Sequence, residues 1–353
     1  MIAPLPPAPL GNERGRGRAE AGFLAQLVVW KFADHLPLNR QSGILKRSGV
    51  CIPPSTLGDW VHGTARLLGP IALAVLDDIL KRRVVGLDET GLRIIFKEKG
   101  KKREKRPGRI WVYRGLEGEL YFKISATTAK ADKAEPLAVL GNFVGKVQAD
   151  AAGVFDDLYK GGKRIEIGCR AHERRGYHKA RKSNPKEAVL ALAFFKKIYE
   201  IEERVRDATP EERLAARQNE TKPLVDNFDK WVDELAASGK LVPGTPLAKA
   251  IGYSQNHRVA LRRFLDDPEL SPDNNAVERA LRLVAVGRRN WLFAGSEVGA
   301  DDAAILYTLI GSCRELELDP WEYMHDVIKR RAAGESPEKL TPRAWWEARK
   351  KPV

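Results

Sequence analysis

VVGLDETGLRIIF (84–96), RIWVYRGL (109–116) and ELYFKIS (119–125) follow one another closely near the end of the first third of the chain. VVGLDET is a short apolar run that ends in acid. GLRIIF, RIWVYRGL and ELYFKIS are rich in β-branched and aromatic residues, and KEKGKKREKRPG (97–108) between them is a polar turn. Three such runs joined by short turns predict an antiparallel meander. Downstream, AEPLAVLGNF (134–143) predicts a helix, and KVQAD (146–150) a short strand that again ends in acid. VFDDLYK (154–160) then reads as a helix and RIEIGC (164–169) as a fifth strand. Upstream, residues 21–83 have apolar residues at helical spacing. They are broken by Pro53-Pro54, with Ser55 or Thr56 as the expected N-cap of the next helix.

Three antiparallel strands, then helix, strand, helix, strand, is the order of a ribonuclease H-like mixed sheet, so the expected fold class is α/β. Residues 1–20 are Pro- and Gly-rich and read as a disordered linker, and 21–83 as an N-terminal helical region. Residues 84–170 form the first part of the core and 171–265 a large all-helical insertion. Residues 266–313 return to the core, and 314–353 make a basic helical tail. Within the insertion, Thr209-Pro210-Glu211-Glu212 is a capping box and Gly239 ends a helix.

The composition of the 353 residues bounds the function. A formal charge of +14, with 31% charged and 43% hydrophobic residues, describes a globular chain suited to a polyanion such as nucleic acid. Three scattered cysteines with no CxxC pair exclude a disulfide framework and a four-thiolate zinc site, and they point to a reducing compartment. No stretch approaches the roughly 20 apolar residues of a membrane span.

Asp88 and Asp150 each close a predicted strand, and Glu278 lies early in the helix of SPDNNAVERALRLVAVGRRN (271–290). Three carboxylates gathered without His or Cys are hard donors that suit Mg²⁺ or Mn²⁺. Two such ions roughly 3.5–4 Å apart can stabilise both the entering and the leaving oxygen of a phosphodiester. Asp88 is the expected bridging ligand, with Asp150 and Glu278 each completing one ion. Glu89, Asp156, Asp157 and Asp273 compete as local alternatives.

Several segments together resemble the insertion-sequence 66 family of DDE-type transposases. They are ADHLPLNRQSGILKRSGVCIPPSTLGDW (33–60), VVGLDET, VQADAAGVFDDLY, GCRAHERRGYHKA (168–180) and, most specifically, residues 271–313. The resemblance covers about residues 20–330. It implies a ribonuclease H-like core interrupted by a helical insertion, with Asp88, Asp150 and Glu278 as the catalytic and metal-binding triad. It also implies two Mg²⁺ or Mn²⁺ ions, and cleavage of DNA at element ends followed by strand transfer into target DNA. The implied partners are DNA, further copies of the chain and helper proteins of the same element, in the bacterial cytoplasm at the nucleoid. Residues 151–155 depart from the Gly- and Tyr-bearing run usual in the family. Members also usually carry an N-terminal DNA-binding helical part and a Cys-rich zinc-binding segment. This sequence opens in what resembles the linker that follows them, so the expectation is a chain lacking that region. Two rival readings share these features: a structure-selective nuclease on the same fold, and an idle transposase-derived DNA-binding fragment.

The basic residues supply the expected DNA contacts. Lys97–Arg106 holds seven basic and two acidic residues, among them Lys101, Lys102 and Arg103. Arg174 and Arg175 follow the fifth strand, and Arg279, Arg282, Arg288 and Arg289 flank Glu278. Arg282 either pairs with Glu278 at i,i+4 or is left for a phosphate. Glu89, His172, Asn274 and Asn275 are expected around the triad, the two Asn first as helix caps. Cys169 and His172 have the spacing of half a zinc site but no second pair. Trp345 and Trp346 either stack on bases or pack on the core.

Overall fold

The computed structural model describes residues 19–96, 102–127, 129–150 and 153–350, so all but the last two residues of the linker expected at 1–20, and the phosphate contact expected at Lys101, lie outside the described residues. The chain divides into two units, one of residues 1–143 and 277–353, the other of residues 144–276.

In the first unit, helices α1 (Ala21–Phe32), α2 (Leu38–Arg47) and α3 (Pro54–Leu80) precede strands β1 (Val84–Phe96), β2 (Glu104–Arg114) and β3 (Leu120–Ala126). The three strands form the expected antiparallel meander. Asp88 lies opposite Val112, and Val112 opposite Phe122. VVGLDET and GLRIIF prove to be one strand. The register runs without interruption from Gly86↔Arg114 to Phe96↔Glu104, and the ladder carries polar Glu89 and Thr90 and flexible Gly91 through as extended chain. Asp88 is therefore the fifth of thirteen residues in β1 rather than a strand tip. Helix α3 starts one residue before the expected cap. Extended Pro53 takes the cap position and Pro54 the first turn, where its missing N–H costs nothing.

Helix α4 (Ala129–Leu140) follows the meander. Helices α11 (Asn275–Trp291), α12 (Glu297–Glu315), α13 (Pro320–Ala332) and α14 (Pro342–Lys350) close the chain. Helix α12 is buried on nearly all sides from Leu306 to Cys313 and lies along β3. Its hydroxyls seal the outer edge of that strand. Phe122 N donates to Thr308 Oγ1 at 2.9 Å and Leu120 N to Ser312 Oγ at 3.0 Å, while Ser312 Oγ donates to Leu120 O at 3.2 Å. Gly311 permits this approach, because a Cβ there would stand 3.1 Å from both Leu120 and Phe122. In the tail, Trp345 is buried and its indole donates to Asp326 at 2.8 Å, so it packs on the core; the Lys350 ammonium covers half-buried Trp346.

In the second unit, β4 (Gly145–Gln148) and β5 (Arg164–Ile167) pair in parallel. The helix expected at 154–160 is only a 3₁₀ turn, Asp156–Leu158. Gly161 and Gly162, at φ +84° and +73°, end it and turn the chain toward β5. Then come only helices: α5 (Arg170–Lys179), α6 (Pro185–Arg204), α7 (Pro210–Ala216), a π turn (Arg217–Thr221), α8 (Lys222–Ala237), α9 (Pro246–Asn256) and α10 (Arg258–Arg262). Their shared core is Tyr177, Phe195, Phe228, Val232 and Ile251 with small alanines between them. Both the Thr209 capping box and the left-handed Gly239 just past α8 form as the sequence predicts. With three antiparallel strands in one unit, two parallel strands in the other and mostly helices around them, the described chain is a mixed α/β protein.

Candidate active site

Asp88 is half-buried on β1, and the Glu89 amide donates to its Oδ1 at 2.8 Å. Side chains alternate along a strand, so Glu89 points the other way. There it meets Arg109, whose Nε also donates to Asp132 at 2.9 Å. Burial works against the Arg109 charge, but its hydrogen bonds to Glu89 and Asp132 prevail and hold its pKa above the ordinary value. Glu89 is thus consumed by a cation on β2.

Glu278 is half-buried in the first turn of α11, where the helix dipole favours a carboxylate. The arginines around it divide. Arg288 Nη1 donates to Thr90 Oγ1 at 3.1 Å and to the Gly91 carbonyl, so it ties α11 to β1. Arg279, Arg282 and Arg289 are exposed. The i,i+4 pair of Glu278 with Arg282 does not form, and Arg282 has no ion-pair partner among the described residues. Lys102 and Arg103 are exposed just before β2.

In the second unit, Asp150 is half-buried two residues beyond β4. His172 Nε2 stands 3.8 Å from Asp150 Oδ2 and accepts from Arg175 Nη1 at 2.9 Å. Accepting from a guanidinium requires that nitrogen to be unprotonated, so His172 is a neutral ring set between Asp150 and a cation. Cys169 is buried, and burial pushes its thiol up to about 11, against backbone amides that lower it. Its sulfur accepts from the Asn274 amide at 3.2 Å.

Asn275 opens α11, and Asp273 braces the chain just before it. Asp273 accepts from the Asn275 amide at 3.0 Å, from the Asn275 side chain at 2.7 Å and from the Tyr199 hydroxyl at 2.7 Å. Asp273 thereby leaves the contest for the third acid, and Asp157 pairs with Lys160.

Arg174 and Arg175 are brought together beside a pocket of about 980 Å³ between α5 and α6, lined also by His178, Lys196, Tyr199 and Glu200. Lys196 was missed in the sequence. The helical spacing Leu192, Lys196, Tyr199 and Glu203 on α6 places it on this face and could have revealed it. Among the described residues, neither unit by itself gathers three or more His, Cys, Asp or Glu side chains able to hold a metal ion.

Residues 16–302 match the sequence profile of the family described as Transposase IS66 family. The chain belongs to the IS66 transposase family. The match takes in Asp88, Asp150 and Glu278 together with the Cys169–Arg175 segment. Among curated relatives, this family member is 33% identical over 351 residues to "Uncharacterized protein y4hP" of Sinorhizobium fredii (strain NBRC 101917 / NGR234), covering 92% of this chain and 61% of that protein. To "Uncharacterized protein y4jD" of the same organism it is 31% identical, covering 96% of this chain and 68% of the relative. To "Uncharacterized protein y4qI", also from that strain, it is 30% identical, covering 88% and 59%. The chain thus spans roughly three-fifths to two-thirds of the length of these relatives. No helix among the described residues is long and apolar enough to cross a membrane.

Proposed function

We propose that this IS66 family chain is a DDE transposase on a ribonuclease H-like core, cleaving DNA at transposon ends and transferring the strand into target DNA. What supports the reading is the removal of the rival acids. Glu89 is bound to Arg109, Asp273 accepts from Asn275 and Tyr199, and Asp157 is paired with Lys160. Exposed Asp156 is not removed in this way, and among the acids that remain we assign the role to Asp88, Asp150 and Glu278.

The donors fit hard divalent cations: all three are half-buried carboxylates. Asp88, Asp150 and Glu278 would hold two Mg²⁺ or Mn²⁺ ions. Such ions, when bound, lower the pKa of an attacking oxygen and neutralise a leaving one. His172 stands beside Asp150 with its Nε2 engaged by Arg175. Exposed Lys102, Arg103, Arg174, Arg175, Arg279, Arg282 and Arg289 would hold backbone phosphates, which gives affinity without sequence reading. Element ends, target DNA, further copies of the chain and helper proteins are the proposed partners.

The test is cleavage and joining of labelled element-end DNA with Mg²⁺ or Mn²⁺. Asp88→Asn, Asp150→Asn and Glu278→Gln should each cut the rate by about three orders of magnitude or more, equivalent to several kcal/mol of transition-state stabilisation. DNA binding should persist. Cleavage without joining would favour the nuclease, and undiminished cleavage in any of the three variants would remove that residue from the triad.

A further inference from the structure

Three arginines of the first unit converge on one pocket of about 370 Å³. Arg279 and Arg282 reach it from α11 and Arg314 from α12, with His35 at its edge and Leu120 on its apolar wall. None of the three guanidiniums has a carboxylate partner among the described residues. The acid on the rim, Glu315, is taken by Arg114 at 3.0 Å. Like charges held together this way repel one another, and the two helices that carry them are fixed by the core.

His35 adds a second observation. It is held at φ +61°, a conformation few non-glycine residues adopt, and its Nδ1 is buried with no hydrogen-bond partner among the described residues. Burial and the Arg314 charge both lower its pKa, so the ring is neutral beside the cations.

From this geometry we infer that the pocket binds a phosphate group, and that its occupant is a backbone phosphate of a DNA strand. Guanidinium forks match the paired oxygens of a phosphodiester, and three of them supply the positive charge that a phosphate needs. The apolar wall offers nothing to read a base edge, so the contact positions the strand and does not select its sequence. Arg282 stands one turn along α11 from Glu278, so a strand anchored here is registered to that carboxylate. The phosphate chemistry stands on the pocket alone; DNA as its source rests on the transposase reading.

The experiment is fluorescence anisotropy of the full chain with a labelled duplex of arbitrary sequence, over a series of salt concentrations. Arg314→Gln should weaken binding about five- to tenfold and reduce the log–log salt slope by about 1. Arg314→Lys should keep most of that slope, and Lys46→Gln on exposed α2 serves as a charge-matched control. Arg314→Gln behaving like wild type, or no worse than Lys46→Gln, would overturn the proposal. Pyrophosphate binding that depends on Arg314, in a chain that does not bind the duplex, would overturn DNA as the occupant. Arg314-dependent duplex binding by a chain that never cleaves DNA would sink the transposase reading and leave this pocket standing.

Discussion

Lys31 sits with its ammonium 5.3 Å from the centre of the Phe32 ring, and burial lowers its pKa from 10.5 to about 8. The unfolded chain therefore holds that proton more tightly than the folded one. Stability should rise as pH climbs from about 8 to 10.5. Lys31→Met should be more stable than the parent at pH 7 and should lack this rise, which melting curves across pH 7–11 would check. Cys169 works in the opposite sense. Its thiol is raised from 9 to about 11, so its contribution is complete below pH 9 and is lost as pH passes through 11. Cys313 is also buried and also raised, whereas Cys51 is exposed. A thiol reagent at pH 8 should therefore label one cysteine per folded chain and three once denaturant is added; rapid labelling of three in the native protein would contradict the burial. At this scale the sequence was legible where a residue type and its local context suffice, as for Asp88, Asp150 and Glu278 as candidates. It was illegible where a distant partner decides. Asp273 is claimed by Tyr199, 74 residues upstream, and Glu89 by Arg109 on the neighbouring strand.

Helix α5 carries a buried ion pair one turn long: Arg170 donates to Glu173 at 2.6 Å, and both side chains are about 1% exposed. Glu173→Ala would strand a guanidinium in the core and should cost about 3–5 kcal/mol by chemical denaturation. Replacing both residues by Met and Leu should recover most of that loss; a double variant as unstable as the single one would show that the pair does more than neutralise itself. The Thr209 capping box is a smaller matter. Its hydroxyl accepts from the Glu212 amide at 3.2 Å, and the Glu212 side chain accepts from the Thr209 amide at 3.0 Å. Thr209→Ala should cost about 1 kcal/mol. The box was readable because all its partners lie within four residues. The length of β1 was not, because register with β2 makes one strand of two differently textured runs. The cap of α3 was misplaced for a related reason: two prolines in succession set the entry angle more firmly than a hydroxyl would.

The molecule as a whole carries a formal charge of +14, and its charged side chains fall into two populations. Arg170, Arg217 and Arg288 are consumed inside the protein, Arg217 by Glu202 and the carbonyls of Phe264 and Asp267. Arg174, Arg279, Arg282 and Arg289 stay on the surface. DNA affinity should fall linearly on a log–log plot against salt, with a slope of about 0.9 per phosphate neutralised. A slope near zero would mean that the surplus charge serves something other than nucleic acid. The broad class, mixed α/β with a long helical stretch, was legible from texture alone. Which of the many arginines remain available was not, because that depends on contacts made only after folding. The hydroxyl-lined border of β3 has a consequence of its own. With the Leu120 and Phe122 amides already engaged by α12, a strand from another polypeptide finds no open ladder there to extend. β-Augmentation is thus closed at those two positions, and a polypeptide that meets this border meets α12 first.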